Sequence, residues 1–464
     1  MSAKLDRLET KVRDAVVDDP ERGIYRCHRT IFTDLELFEL EMKHIFEGGW
    51  LFLAHESQVA APGDYFTVNM GRQPVIINRD KQGKLHALIN ACAHRGAMLC
   101  RRKQGNKGGT FTCPFHGWSF NFAGKLLKAK DQKTGAYPDA FNKDGSHDLT
   151  RVPRFESYRG FLFGSLNTDV PPLQEYLGET KKIIDQIVDQ APYGLEILRG
   201  TSSYTFHGNW KLQSENGVDG YHVTSVHWNY GSTMARRKQP SSTKSVDAGS
   251  WSQAGGVYSF DNGHMLVWTR LPNPEVRPVY SQVEALTERY GQSQPNHVKQ
   301  MVNQTRNLYL YPNVYLMDQF STQIRVTRPI AVNETEVTIY CFAPKGESPE
   351  NRSVRIRQYE DFFNVSGMGT PDDLEEFRAS TNGYAGAQAE WNDLSRGALD
   401  SIDGADDNAK AIGMKPQFSG KSPDYEGMML RHHQHWTVIM QRAIAKERES
   451  CVVIASDAGD EVVV

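Results

Sequence analysis

The stretch Cys92-Ala93-His94-Arg95-Gly96 and, further on, Cys113-Pro114-Phe115-His116-Gly117-Trp118 decide how this chain is read. Together they spell Cys-x-His, eighteen residues, Cys-x-x-His, so each half supplies one thiol and one imidazole. Zinc fingers pair Cys with Cys and then His with His, which leaves zinc as the alternative reading of this pattern. A two-iron cluster with one iron on two cysteines and the other on two histidines, offered by two facing loops, needs this alternation. Gly96 and Gly117 suit tight turns that let backbone N–H groups approach inorganic sulfide.

The pattern resembles a Rieske [2Fe-2S] centre with Cys92, His94, Cys113 and His116 as ligands. Respiratory Rieske proteins carry two further cysteines in a disulfide, but Ala97 and Phe115 stand at those positions here. The resemblance therefore implies the lower-potential oxygenase or ferredoxin subtype. The remaining cysteines, Cys27, Cys100, Cys341 and Cys451, are too few and scattered for a disulfide framework. Cys100 reads as a small buried hydrophobe, and Arg95 and Trp118 as residues that pack the cluster loops.

Around this motif stands a chain of 464 residues, 39% hydrophobic, with 53 Lys and Arg against 56 Asp and Glu. At ~150 residues per domain this length suggests about three domains and excludes a single small module. The charge balance leaves no electrostatic footprint for nucleic acid. No apolar run approaches the ~20 residues of a membrane span, and the N-terminus lacks a secretory apolar region, so a cytoplasmic protein is expected.

Thr33-Asp34-Leu35-Glu36 reads as a capping box, followed by helical spacing of Leu35, Phe38, Met42, Ile45 and Phe46 toward Gly48-Gly49. Short β-type runs then alternate with Gly, Pro and Asn turns up to Asn167, and Pro171-Pro172 closes the region. Beyond it, strands at Ile324 to Val326 and Glu336 to Ala343 mix with helices at Asp372 to Ala379 and Met428 to Lys446. Residues 402 to 425 read as loop. The expected fold class is α+β: an N-terminal helical segment over 1–48 packing on the catalytic domain, a small all-β Rieske domain over 49–168, and a larger catalytic domain over 169–464. Arg431-His432-His433-Gln434-His435-Trp436 reads as a packed helix and not a metal site, with Met428 and Met429 as core filler.

A second cluster of chemistry lies in Glu215-Asn216-Gly217-Val218-Asp219-Gly220-Tyr221-His222, with His227 five residues later. Positions five apart on a regular helix differ by about 140°, so both histidines reach one metal only if the helix ends or bulges between them. Gly217 and Gly220 suggest distortion or close packing there. With the cluster motif, this run resembles the α subunits of ring-hydroxylating Rieske non-heme iron oxygenases, over almost the whole chain. The resemblance implies a helix-grip catalytic domain, an antiparallel sheet with helices, and a 2-His-1-carboxylate triad on mononuclear Fe(II). His222 and His227 match its histidines. Asp372 and Asp373 are the adjacent carboxylate candidates, and the family favours Asp373. It also implies that Asp219 links His222 to His116 of a neighbouring subunit in a head-to-tail trimer.

Leu51 to Ser57, Arg154 to Leu166, Tyr309 to Phe320 and Arg357 to Phe377 resemble the benzoate/toluate 1,2-dioxygenase branch, with anthranilate dioxygenase a close cousin. Gly367, Gly369 and Thr370 stand where hydrocarbon dioxygenases carry larger apolar groups, which suggests a smaller, more polar aromatic substrate. A buried carboxylate needs a donor, and Arg237, His264, Arg270, Arg325 and several amides are open candidates. No dinucleotide fingerprint or P-loop is present, so the family's separate NADH reductase, with flavin and a ferredoxin-type cluster, is expected, as is a small β subunit giving α3β3. The remaining alternatives are a Rieske monooxygenase or demethylase and a non-catalytic electron carrier.

Overall fold

A computed structural model describes residues 2–236, 254–319 and 322–459. The chain forms two compact units, Ile45–Leu173 and Met1–His44 joined with Gln174–Val464.

The Ile45–Leu173 unit is built from three antiparallel sheets. Four strands lie in the order Leu85–Ile89, Gln73–Arg79, Asp64–Met70, Gln104–Asn106; a second sheet orders Leu126–Lys128, Ser119–Asn121, Thr110–Thr112; the third orders Arg154–Tyr158, Phe161–Ser165, Leu51–His55. The β-branched run Val75-Ile76-Ile77 is fully buried at the centre of the first sheet. One core cluster joins Ile76, Leu88, Phe111, Trp118 and Phe120 to Cys92 and Cys113, so both thiols of the motif are part of the apolar interior.

In the other unit a nine-stranded antiparallel sheet runs in the order Leu195–His207, Glu334–Pro344, Thr322–Ala331, Val314–Asp318, Gln304–Leu310, Met265–Arg270, Gly255–Ser259, Phe418–Gly420, Ser401–Asp403. Gln304–Leu310 and Val314–Asp318 are buried along their whole length, because helices cover the sheet. This is a helix-grip arrangement. The Gly427–Gly459 helix buries Met428, Met429, His432, His433 and Trp436.

Three local readings are corrected. Asp34, not Thr33, caps the Leu35–Glu41 helix, accepting from the N–H groups of Glu36 and Leu37 at 2.8 and 3.0 Å, and Met42–Phe46 continues as π-helix. The N-terminal segment is not helical throughout. Val16–Asp19 and Ile24–His28 form a hairpin extended by Trp391–Asp393, since Tyr25 and Cys27 alternate inward after the positive-φ turn at Gly23. Finally, 402 to 425 is not all loop: Ser401–Asp403 and Phe418–Gly420 lengthen the large sheet, strands too short for alternation to announce.

Candidate active site and cluster loops

The two cysteine loops repeat one backbone design. Gly96 N–H donates to Cys92 O at 2.8 Å and Cys92 N–H to Ala97 O at 2.9 Å; Gly117 N–H donates to Cys113 O at 3.0 Å and Cys113 N–H to Trp118 O at 2.8 Å. Each glycine sits four residues after its cysteine with φ of 71° and 73°, and a Cβ there would meet nothing within 4 Å. Conformation, not crowding, therefore selects glycine. Cys92 and Cys113 are 3% and 2% exposed, and their thiols approach within hydrogen-bonding range. Burial pushes the Cys92 thiol up, the state a metal would reverse by holding it as thiolate.

The histidines lie further out. Their rings meet edge to face at 4.6 Å, and His94 stacks on Trp118 at 4.8 Å and 10°. His116 Nδ1 is buried with no hydrogen-bond partner among the described residues. Two adjoining thiols inside, two imidazoles above them and an unpartnered ring nitrogen fit a cluster with two sulfur and two nitrogen ligands. Cys100 is 1% exposed, its thiol pushed up to about 12 by burial, in keeping with a core role.

His222 and His227 bracket a single helical turn, Val223–Val226, as its two caps. The preceding Trp210–Asn216 helix has ended, so both rings can turn to one point. The glycines between are required by close packing. A Cβ on Gly217 would lie 2.5 Å from the Tyr315 ring and one on Gly220 2.4 Å from Pro423 O.

Asp373 reaches the same point from the first turn of the Thr370–Gly383 helix. Nε2 of His222 and Nε2 of His227 are 3.2 Å apart, and Asp373 Oδ1 lies 3.4 and 3.2 Å from them. Metal–ligand bonds of ~2.1 Å at right angles put ligand atoms about 3 Å apart, so the three atoms fit one face of a metal's coordination sphere. Asp372 is outside this set, 39% exposed, with Oδ2 3.8 Å from His227 Nδ1. Asp219 Oδ2 lies 3.1 Å from His222 Nδ1, off the N–H direction, and its Oδ1 accepts from Tyr221 N–H at 2.7 Å. Burial lowers the His222 imidazole, but the Asp219 and Asp373 carboxylates outweigh it and hold it up at about 10. Burial would raise Asp373, yet the two histidines hold it well below the usual carboxylate range.

Asn216 has no role in the sequence reading, although it stands inside the quoted run. Its Nδ2 donates to Asp373 Oδ1 at 3.1 Å and lies 3.3 Å from His222 Nε2. A polar side chain at the last turn of the helix that ends before His222 was the available signal.

Beside the three atoms opens a mostly apolar cavity. Val267, Asn307 and Met317 lie in register across three strands of the sheet and line it, with Arg325 from the next strand and Phe362 and Phe363 from the Tyr359–Phe363 π-turn. Gly367 and Gly369 do not line this cavity. A Cβ at Gly369 would lie 2.7 Å from the Phe362 ring and one at Gly367 2.4 Å from Phe362 O, so the space they leave is taken by Phe362. Of the carboxylate-donor candidates, Arg237 lies outside the described residues and Arg270 is exposed. His264 has both ring nitrogens engaged, with Tyr311 N–H and Tyr176 O, and burial lowers it to about 4.

Comparison with known proteins agrees with this architecture. Residues 49–153 match the Rieske [2Fe-2S] domain and residues 197–441 the ring hydroxylating alpha subunit catalytic domain. The chain is 61% identical to the 2-halobenzoate 1,2-dioxygenase large subunit of Burkholderia cepacia, over 94% of both chains. It is 54% identical to the toluate 1,2-dioxygenase subunit alpha of Pseudomonas putida, over 97% of this chain and 98% of that one. Among solved structures, naphthalene 1,2-dioxygenase from Rhodococcus sp. bound to indole shares the fold with a TM-score of 0.78 at 23% identity, covering 94% of this chain and 97% of that one. The chain belongs to the ring-hydroxylating oxygenase alpha subunits, which join a Rieske [2Fe-2S] domain to a non-heme iron catalytic domain.

Proposed function

We propose that this chain is the α subunit of a dioxygenase that cis-dihydroxylates benzoate-type aromatic carboxylates. Cys92, His94, Cys113 and His116 hold the [2Fe-2S] cluster, and His222, His227 and Asp373 hold Fe(II). The observation that carries the reading is the convergence of two Nε2 atoms and one carboxylate oxygen, 3.2 to 3.4 Å apart, at the edge of an apolar cavity. The names of the halobenzoate and toluate relatives support the substrate class. When bound, the cluster supplies electrons singly and the ferrous iron activates O₂, so that both oxygen atoms enter the ring as a cis-1,2-dihydrodiol carboxylate.

The chain's own groups do the positioning. Asn216 donates to Asp373 Oδ1 and fixes the carboxylate's rotation. The Asp219 carboxylate stands 3.1 Å from Nδ1 of His222, on the side away from the triad, and leaves Nε2 as the ligand nitrogen. Phe362, Phe363, Met317 and Val267 exclude water and hold an aromatic ring. Asp219 is 21% exposed, and it also bridges to His116 of a neighbouring copy in a head-to-tail trimer. A separate NADH reductase with flavin and a ferredoxin-type cluster supplies the electrons, and a small β subunit completes α3β3 in the cytoplasm. No helix among the described residues is long and apolar enough to cross a membrane.

The test is product analysis with benzoate, toluates and anthranilate, NADH, reductase and ¹⁸O₂. Both labelled atoms in one cis-diol carboxylate support the reading. A single labelled atom or a demethylated product moves the chain to the monooxygenases, and cluster oxidation without product would make it an electron carrier.

A further inference from the structure

Among the described residues four arginines are buried in the catalytic unit, and three have carboxylate partners. Arg277 and Arg306 share Asp318, at 2.5 and 3.4 Å, and Arg355 pairs with Glu347 at 2.6 Å. Arg325 is 2% exposed and pairs with no carboxylate among the described residues. Its Nη1 makes one long contact, 3.5 Å to Gln213 Oε1, while Nε and Nη2 are buried without any hydrogen-bond partner among the described residues. These two nitrogens form one edge of the guanidinium, the fork that grips a carboxylate through two parallel hydrogen bonds. Leaving such a group buried and unpaired is strongly unfavourable, so its partner has to come from outside the fold.

Where that fork stands gives the partner's chemistry. Arg325 lines the same cavity as His222, His227 and Asp373, with its guanidinium 5.7 Å from the Phe363 ring centre. Its strand register is fixed on both sides, opposite Tyr315 and Ile339, and Tyr315 OH donates to Gln213 O at 3.1 Å. The guanidinium is thus held by the sheet and does not swing out on a loop.

We propose that Arg325 is the specificity residue that binds the substrate's carboxylate through its Nε/Nη2 edge, fixing the ring between the triad and the phenylalanines. This rests on the proposed aromatic-carboxylate substrate and deepens it. The mechanism is selection by charge. An arene without an anion leaves the cation buried and unpaired, whereas a benzoate-type acid completes it, so the site rejects neutral rings of the same shape.

The experiment compares benzoate with nitrobenzene, a neutral near-isostere, in the reconstituted holoenzyme carrying Arg325→Met, Arg325→Lys or, as a control, Arg270→Met. Cluster spectrum and bound iron are checked for each. In Arg325→Met, Kd and KM for benzoate should rise on the order of 10²-fold, the loss typical of removing one partner of a buried hydrogen-bonded charge pair. Values for nitrobenzene should stay within about threefold or improve. Arg325→Lys keeps the charge but not the fork and should weaken benzoate about tenfold. Benzoate should raise the Tm of wild type and of the Arg270 control but not of Arg325→Met at the same concentration. If Arg325→Met does not fold, the lysine variant carries the comparison alone. Benzoate affinity unchanged by both substitutions, or equal losses for benzoate and nitrobenzene, would overturn the assignment while leaving the substrate class intact. A wild-type enzyme that neither binds nor oxidises benzoate but dihydroxylates neutral arenes would overturn the substrate class and the role of Arg325 with it.

Discussion

The four residues proposed for the cluster lie between positions 92 and 116 on two loops with the same backbone hydrogen bonds, each closed by a positive-φ glycine four residues after its cysteine. The three proposed for iron lie between 222 and 373, on the two ends of one helical turn and the first turn of a distant helix. The first set is assembled almost entirely by local geometry. The second exists only after a sheet and three helices have closed, so its accuracy depends on residues far from it in sequence. A local site should tolerate damage elsewhere, and a site of long reach should report it.

The largest expected effect probes this independence directly. Alanine at His222, His227 or Asp373 should remove mononuclear iron and lower turnover more than ~10³-fold while the reduced cluster keeps its EPR signal. His94→Ala or Cys113→Ser should do the converse, abolishing the signal with iron retained. Asp372→Ala should keep iron, because Asp372 meets only the outer nitrogen of His227. Iron analysis and EPR on the same samples decide it, and loss of both metals from one substitution would break the contrast.

Next comes a test of distant support. The Lys211 ammonium and the Glu41 carboxylate pair at 2.5 Å with both side chains fully buried, and the indole N–H groups of Trp210 and Trp436 donate to the same carboxylate at 2.9 and 2.6 Å. Lys211 belongs to the helix that ends at Asn216, so the pair ties that helix to Leu35–Glu41 and to the C-terminal helix. Removing one partner strands a buried charge. Glu41→Gln or Lys211→Met should destabilise the catalytic unit by about 3–5 kcal/mol, and denaturant melts should find iron released before the cluster bleaches.

How far these arrangements were legible follows from the same division. The cluster loops were readable because every ligand lies within four residues of the glycine that turns it. Distortion at Gly217 and Gly220 was also readable, but it falls before His222 and not between the two histidines, where Val223–Val226 is a helical turn, and only the structure shows that Tyr315 and Pro423 crowd the glycines. The choice of Asp373 over Asp372 came from family resemblance, since adjacent residues at a helix start look alike until the packing faces one inward. Arg325 was one of several open candidates. A strand spelling TQIRVTRPIA gives no sign of which arginine faces the triad before its register with Val314–Asp318 is known. The Glu41–Lys211 pair was invisible for the same reason, as burial of opposite charges 170 residues apart leaves no local pattern. Gly367, Gly369 and Thr370 were read as pointing to a smaller, more polar substrate, whereas the two glycines stand against Phe362 and do not line the cavity.

A smaller effect concerns the proposed link between subunits. Asp219 touches the outer nitrogen of His222 and is no ligand, so Asp219→Asn should keep both metals, and reductase should still reduce the cluster. Asparagine holds one hydrogen bond but lacks the charge to hold two imidazole N–H groups. In single turnover, cluster reoxidation on adding benzoate and O₂ should slow by about 10–100-fold, the usual size of such outer-carboxylate effects. A wild-type rate would remove Asp219 from the electron path.

The smallest expected effect on turnover accompanies a pH dependence of stability set by Glu215, whose Oε1 lies 2.6 Å from His433 Nε2. Burial raises its carboxyl to about 8, with repulsion from Asp219 adding and Lys211 opposing. A group raised in the folded state contributes stability that is whole below its ordinary value near 4.5 and disappears as pH climbs through 8. Over that window the folded chain holds a proton the unfolded chain has released, so the contribution falls by on the order of 1 kcal/mol per pH unit. Burial pushes His432, His433 and His435 the other way, and their slope runs upward with pH through the ordinary histidine range. A raw stability profile therefore mixes signs, but the difference between wild type and Glu215→Gln isolates one carboxyl. Glutamine keeps the shape and a hydrogen bond to His433 without titrating. Urea midpoints should nearly coincide at pH 5, and at pH 8 the variant should be the more stable. Parallel profiles would mean that Glu215 is ionised in the folded chain, with His433 N–H donating to it as one more charge held far from the local geometry that made the cluster loops legible.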